Sequence, residues 1–236
     1  MRWVPLVVIA FLAGCAATTE QPGPSKPAPQ AAAQKVPPVP TQAQRQQFFS
    51  VVRAVEPVAE RECRKRSPRL NCDFKIVMDE RKGQPANAFQ SLDKSGRPVL
   101  TFNLALIASV RNRDELAFVV GHEAAHHIAG HIARQQQSAS AGAILLGGIA
   151  AIAGAGSSGI QAAQNVGAVV GARTYSKEFE LEADALGTVI TRRAGFNPVK
   201  GAAFFSQLPD PGNRFLGTHP PHKDRIETIK RVNAGL

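Results

Sequence analysis

The chain has 236 residues, with 28 Lys and Arg against 18 Asp and Glu, so its formal net charge is +10. Hydrophobic residues make up 44% of the chain and charged residues 19%, which excludes disorder over most of the length. The length allows one fair-sized domain or two small ones. A basic chain can bind nucleic acid, but no nucleic-acid-binding module is readable in this one. We therefore expect no nucleic-acid partner.

The N-terminus has the pattern of an export signal. Residues 1–14 carry a positive charge at Arg2, then an apolar run that is shorter than the roughly 20 residues of a transmembrane helix. The Leu-Ala-Gly-Cys stretch at residues 12–15 resembles the lipobox of bacterial lipoproteins, which implies cleavage before Cys15 and lipidation of Cys15. In such lipoproteins, an Ala after the lipidated cysteine, as at position 16 here, implies localisation at the outer membrane. An ordinary signal peptide or a short anchor is the alternative.

A tether and one folded domain are predicted after the signal peptide. Residues 15–40 are mostly Pro, Ala, Gln and Thr and cannot bury a core, so we expect a lipidated tether there and a domain over residues 41–236. Export to an oxidising compartment makes a disulfide between Cys63 and Cys72 the expected state of this cysteine pair. Two free buried thiols are the alternative.

The first part of the domain predicts a helix and a small sheet. Apolar residues between Phe48 and Val55 recur at helical spacing up to Pro57, which indicates an amphipathic opening helix. An Asp-Lys-Ser-Gly turn at residues 93–96 indicates a hairpin between two of the three predicted strands. These strands cover residues 73–78, 87–91 and 97–102.

The second part of the domain is expected to be helical. Asn112 and Glu115 predict a capping box for a long helix that would run to about Gln136. Residues 135–172 then contain no charged side chain and are rich in Ala, Gly and Ser. We expect a helical hairpin or a lid over the cleft, with a membrane-dipping element as the alternative.

The strongest chemical motif is His-Glu-Ala-Ala-His at residues 122–126. Two His four residues apart lie on one helical face about 6 Å apart, so His122 and His126 can converge on one tetrahedral Zn²⁺. Glu123 can then reach a zinc-bound water as a general base. The preceding residues 116–121 are apolar, and a buried His/Glu/His cluster without a partner would be costly. We predict one zinc ion per chain.

A third protein ligand is needed beside two His and a water. The metzincin pattern would require Gly at position 129 and His at position 132, where this chain has Ala and Ile. A carboxylate from a later helix is the alternative, with Glu180 as the ligand and Asp184 orienting a ligating imidazole. Helical periodicity alone does not choose Glu180 over Glu178 or Glu182.

Three ordered motifs carry a family resemblance. They are residues 122–126, residues 175–184, and Thr-His-Pro-Pro at residues 218–221 with Arg225. Together they resemble the HtpX-like and CAAX-prenyl-protease-like family of gluzincin metalloendopeptidases, over about residues 41–232. The resemblance implies an α+β, mainly helical zincin-type domain with a small sheet and an HExxH helix.

The same resemblance implies roles for individual residues. Glu180 would be the third zinc ligand, Asp184 and Arg225 would support the ligands, and His219 would lie near the metal. We expect His219 to serve catalysis in an open state and to inhibit in a closed one. The family's strand beside the active site matches Asn87, Ala88 and Phe89.

The expected function is proteolysis in the bacterial envelope. Zinc would polarise the scissile carbonyl while Glu123 deprotonates the bound water. The substrate would lie extended along residues 87–89, since main-chain pairing tolerates many sequences. The resemblance implies misfolded or misassembled outer-membrane proteins as substrates, at the periplasmic face of the outer membrane. A zinc-containing chaperone or assembly factor with latent or negligible proteolysis is the alternative.

Overall fold

The computed structural model describes residues 37–174, 176–207 and 220–236. The predicted signal peptide, most of the predicted tether with Cys15, and the predicted site residue His219 lie outside these ranges. The described residues form a mainly helical domain with a small mixed sheet, as expected. In chain order the elements are α1 (Gln42–Arg66), β1 (Lys75–Asp79), β2 (Ala88–Leu92), β3 (Pro98–Asn103), α2 (Leu104–Ser109), α3 (Arg113–Ile128), α4 (His131–Ile152), α5 (Ser157–Thr174), α6 (Ser176–Arg193), α7 (Pro198–Gly201), a 3₁₀ helix (Ala202–Gln207) and α8 (His222–Ala234).

The three predicted strands are confirmed, each within two residues of its expected bounds. The sheet order is β1-β3-β2, with β1 parallel and β2 antiparallel to β3. In the β2–β3 turn the Asp93 carboxylate accepts hydrogen bonds from the backbone N–H groups of Ser95 and Arg97, and Gly96 adopts a left-handed φ of +79°. Because β2 pairs on one side only, it is an edge strand of the described sheet.

Helix α1 is longer than the periodicity up to Pro57 indicates. It continues to Arg66 with Pro57 inside it. An interior proline costs a helix roughly 3 kcal/mol because it removes a hydrogen bond and crowds the preceding turn. Burial offsets that cost here, since Val58, Ala59 and Cys63 beyond the proline all lie in the hydrophobic core.

The end of α1 is tied to the segment that enters β1. Cys63 and Cys72 are joined in a disulfide, with their Cα atoms 5.7 Å apart. Both residues are buried beside Phe74, which is also fully covered. The cross-link and the surrounding apolar contacts therefore hold the opening helix against the sheet.

The predicted start of the long helix is present in a modified form. The Asn112 side chain accepts a hydrogen bond from the backbone N–H of Glu115, as a capping residue does. The Glu115 carboxylate does not return to Asn112 but accepts from the backbone N–H of Arg111, at 2.7 Å. Two of the otherwise unpaired donors around the helix start are satisfied in this way.

The prediction of one continuous helix to Gln136 is wrong. Helix α3 ends at Ile128, and Gly130 follows in a left-handed conformation with φ +67°. A left-handed residue interrupts the i→i−4 hydrogen-bond pattern and is the usual end of an α-helix. A separate helix, α4, begins at His131.

The uncharged segment folds into a helical hairpin of α4 and α5, connected by residues 153–156. The two helices pack closely where Gly142 faces Gly167 and where Gly171 faces the backbone of Ser138, because a Cβ atom at any of these glycines would meet backbone. Several aliphatic side chains remain exposed on the hairpin: Ile144, Leu145, Ile149, Ile152, Val166 and Val169. Within the described ranges, no helix combines the length and apolarity that a membrane crossing requires.

Helices α3 and α6 approach each other through two glycines. A Cβ atom on Gly187 would lie 3.0 Å from the backbone nitrogen of His122, and a Cβ atom on Gly121 would lie 3.0 Å from the carbonyl oxygen of Gly187. The neighbouring atoms are backbone and have little freedom to move. The absence of side chains at these two positions therefore sets the distance between the helices.

Adding a methyl group at this contact should destabilise the domain. We expect Gly187→Ala to lower the free energy of unfolding by about 1–3 kcal/mol, because overpacking pushes the two backbones apart. Gly148→Ala is the matched control, since Gly148 lies within α4 with nothing near its Cβ position, and there the change should raise that free energy by about 0.5–1 kcal/mol. Urea unfolding of both variants measures the difference. Equal stability of the Gly187→Ala variant and the wild type would contradict the close-contact argument.

Candidate metal centre

Three side chains from two helices converge as metal ligands do. His122 and His126 from α3 place their Nε2 atoms 3.0 Å apart. Oxygens of Glu180, from α6, lie 3.6 Å from Nε2 of His122 and 3.4 Å from Nε2 of His126. Ligands of a tetrahedral Zn²⁺ with bonds near 2.0–2.1 Å are about 3.3 Å from one another. The spacing and the chemistry of these donors therefore fit zinc.

The tertiary structure separates the three acidic residues that helical periodicity left open. Glu180 faces the two imidazoles at the metal position, whereas Glu178 is exposed in the first turn of α6. Glu182 turns to another side of the helix, where its carboxylate accepts a 2.6 Å hydrogen bond from Arg134. Glu180 is therefore the acidic member of the metal-binding group.

A buried ion pair supports the first histidine. Oδ1 of Asp184 lies 3.0 Å from Nδ1 of His122. Arg225 donates two hydrogen bonds to the same carboxylate, from Nε to Oδ2 at 2.7 Å and from Nη2 to Oδ1 at 2.6 Å. When Nδ1 of His122 donates to Asp184, its Nε2 lone pair faces the metal position. The expected proximity of Asp184 and Arg225 to the ligands is thus present.

Arg225 also contacts two other groups of the site. Its Nη2 atom lies 3.4 Å from Glu180, and its guanidinium carbon lies 3.9 Å from the centre of the Phe205 ring. Sequence reasoning did not single out Phe205, because a lone aromatic residue in a short helical segment carries no signal of its own. The Phe205 ring thus makes a cation–π contact with the guanidinium group and helps to bury it.

A second chain of hydrogen-bonded side chains begins at His126, and the sequence did not predict it. Nδ1 of His126 is 2.8 Å from Nδ1 of His131, and Nε2 of His131 is 3.2 Å from Glu182. A continuous helix would have turned residue 131 about 140° away from residue 126. The break at Gly130 brings the two rings together. The clustering of His residues between positions 122 and 131 was the available signal.

Burial and hydrogen bonding shift the protonation of these groups. Burial lowers the pKa of His122, but the hydrogen bonds that its ring donates to Asp184 and Glu180 outweigh burial and raise the pKa to about 10. Burial likewise raises the pKa of Asp184, while the hydrogen bonds from Arg225 and His122 bring it below its usual value. Burial lowers the pKa of His131 to about 4. A metal must replace the proton on His122, so metal binding at this centre releases protons.

The metal centre opens into a cleft of about 460 Å³. Glu123 lines this cleft beside the ligands, and burial raises the pKa of its carboxyl group. Residues 86–90, just before and at the start of β2, line the same cleft, so the structure brings Asn87, Ala88 and Phe89 to the site. The role of His219 stays a prediction, because this residue lies outside the described ranges.

The fold and the ligand set agree with a comparison to known families. Residues 45–233 match the sequence pattern of Peptidase family M48. This protein belongs to Peptidase family M48. It is a metallopeptidase of that family with a His122, His126 and Glu180 metal-binding site.

A related protein comes from Vibrio cholerae serotype O1 and is named as a beta-barrel assembly-enhancing protease. It is 32% identical to this chain over 134 residues, which cover 51% of this chain and 28% of that protein. The match therefore spans well under a third of the relative's length. The match supports a shared peptidase region. It does not extend the activity of the whole relative to this chain.

Removing one carboxylate should distinguish the metal ligand from its neighbours. We expect Glu180→Ala to lose bound zinc, because two imidazoles alone hold the ion weakly. The control is Glu178→Ala, which removes an exposed carboxylate two residues away on the same helix and should keep one zinc per chain. Elemental analysis of the two purified variants measures zinc content. Full zinc in the Glu180→Ala variant would refute the assignment of Glu180.

Proposed function

We propose that this protein is a zinc-dependent endopeptidase that uses one zinc ion per chain. The convergence of His122, His126 and Glu180 in an open cleft carries the proposal. Zinc fits this donor set, and three protein ligands leave a position open for chemistry, as in catalytic rather than structural zinc sites. Membership of Peptidase family M48 agrees with hydrolysis of peptide bonds.

Glu123 is the proposed general base. Peptide hydrolysis requires a group that takes a proton from the attacking water and delivers one to the leaving nitrogen. Glu123 follows His122 on α3 and lines the cleft, while the neighbouring histidines and Glu180 form the metal-binding group. Its raised pKa favours proton exchange nearer neutral pH. Bound zinc would supply Lewis acidity toward the carbonyl and the water.

The edge strand β2 is the proposed substrate platform. One edge of β2 pairs with β3, and its first residues, Ala88 and Phe89, line the cleft together with the preceding Asn87. An extended polypeptide can add to such an edge through backbone hydrogen bonds, which do not depend on its sequence. Phe89 is 41% exposed and offers an apolar contact beside the backbone. This arrangement suits unfolded segments more than folded ones.

We place this activity at the periplasmic face of the outer membrane. The lipobox-like residues 12–15 and the Ala at position 16 support a lipid anchor on Cys15, followed by a tether over residues 15–40. The relative's name, a beta-barrel assembly-enhancing protease, supports a role in the bacterial envelope. Misfolded or misassembled outer-membrane proteins are the proposed substrates.

His219 is proposed to act next to the metal. Helix α8 begins at His222, three residues after His219 in the sequence, and Arg225 in its first turn contacts Asp184 and Glu180. This short connection supports a position for His219 near the centre. An imidazole there would donate a hydrogen bond to the developing oxyanion when the site is open, and would occupy the water position when it is closed.

Replacing the general base should separate metal binding from catalysis. We expect Glu123→Gln to keep one zinc per chain and to lose casein cleavage by at least about 100-fold, because the amide cannot accept the water proton. Removal of zinc from the wild-type enzyme with a chelator should abolish the same cleavage. Zinc analysis and a casein assay make the two measurements. Intact casein in the presence of zinc-loaded wild-type protein, with the substrate still bound, would instead support the chaperone alternative.

The anchor is tested at a single cysteine. We expect Cys15→Ser to abolish incorporation of a fatty-acid analogue and to leave the precursor uncleaved or mislocalised, because the serine hydroxyl does not replace the thiol in lipidation. Metabolic labelling followed by membrane fractionation measures both effects. Label that persists on the Cys15→Ser protein would refute the lipid anchor.

A further inference from the structure

The two ligating histidines differ in the group that contacts their Nδ1 atom. Nδ1 of His122 faces a buried carboxylate, Asp184, at 3.0 Å. Nδ1 of His126 faces another imidazole instead, that of His131, at 2.8 Å between the two Nδ1 atoms. Metal-binding histidines in proteins mostly donate this second ring N–H to a carboxylate, a carbonyl or a water. His131 can accept a hydrogen bond from Nδ1 of His126 only in the tautomer that has a lone pair on its own Nδ1.

The contacts of His131 determine that tautomer. Its Nε2 atom lies 3.2 Å from Oε2 of Glu182, and an ionised carboxylate only accepts hydrogen bonds. Nε2 of His131 therefore carries the proton, which leaves a lone pair on its Nδ1. The hydrogen bond between the two Nδ1 atoms must then be donated by His126. With its proton on Nδ1, His126 presents the Nε2 lone pair to the metal position.

We propose that His131 is a positioning residue of the metal centre, which fixes the tautomer and ring orientation of His126 and is itself oriented by Glu182. The proposal rests on the zinc site of the proposed peptidase. His126, His131 and Glu182 would then form a hydrogen-bonded series behind one ligand, as His122, Asp184 and Arg225 do behind the other. Each ligating imidazole is thereby oriented by a hydrogen bond at Nδ1, the ring nitrogen that does not face the metal position.

The surroundings of His131 keep it in place. Its ring stacks on Phe179 from α6, with ring centres 4.6 Å apart and planes 12° apart. Arg134, one turn later on α4, donates to the same Glu182 oxygen at 2.6 Å and lies 4.4 Å above the Phe179 ring. His131 is buried, so water does not compete for its Nδ1. Such packing holds the acceptor in one rotamer, as orientation of a ligand requires.

His131 is not a further ligand of the same ion. It contacts Nδ1 of His126, whereas the other two members of the metal-binding group converge on Nε2, on the opposite side of the imidazole ring. An ordinary packing role for His131 would stabilise the fold without affecting the ion. The two roles therefore differ in whether zinc affinity depends on the hydrogen-bond acceptor at position 131.

Zinc affinity of the full chain, measured by competition with a chromophoric chelator, tests the proposal. We expect His131→Phe to weaken zinc binding about 10- to 100-fold, because it keeps the ring stack and removes the acceptor. His131→Gln should recover most of this loss, since an amide oxygen can accept from Nδ1 of His126. Glu182→Ala, at a half-exposed position, should weaken binding in the same direction.

The matched control is His127→Phe. His127 is similarly buried and neighbours a ligand, but its Nε2 atom contacts the backbone oxygen of Asn71 at 2.8 Å, away from the metal. This variant should keep wild-type zinc affinity. Unchanged affinity in His131→Phe and Glu182→Ala would overturn the proposal, as would equal losses in His131→Phe, His131→Gln and His127→Phe. The measurement uses no peptide, so a failure of the proposed proteolysis leaves its outcome unaffected.

Discussion

The close approach of α3 and α6 is the constraint on which the rest of the site depends. Gly121 and Gly187 let the two backbones come together with no side chain between them. One helix carries both histidines and the other carries Glu180 and Asp184, so this single contact brings all four groups within hydrogen-bonding or ligating distance. A bulkier residue at either glycine would push the two helices apart and disturb the spacing of these groups.

Burying so many ionisable groups requires that each one be paired. Arg225 reaches from α8 to Asp184 and Glu180, and Phe205 covers its guanidinium group. Glu182, in turn, is paired with Arg134 near the start of α4. The positive charges thus come from helices outside the ligand pair and offset the carboxylates that the centre needs. The metal site is consequently a product of several elements packed together.

Two elements with unpartnered surfaces border the cleft at the metal-binding group. On one side the cleft is bounded by the edge strand β2, which has unused backbone hydrogen-bonding capacity in the described sheet. The α4–α5 hairpin also borders the cleft, through Ile132 and Gln135 of α4 and Arg173 of α5. Farther along, the hairpin carries exposed aliphatic residues such as Ile144 and Ile152. The proposed substrate, an extended polypeptide, fits this strand edge beside the metal-binding group.

The sequence by itself determined those features that depend on neighbours along the chain. The spacing of His122 and His126, the three strands and the capping role of Asn112 all follow from local periodicity and local hydrogen bonds. Periodicity did not choose among Glu178, Glu180 and Glu182; the family resemblance indicated Glu180, and the packing of α6 on α3 gave the physical reason. The contact between residues 126 and 131 was hidden for a related reason. It depends on a left-handed Gly130, whose conformation ends one helix and starts another, and only the tertiary structure selects that conformation over a continuous helix.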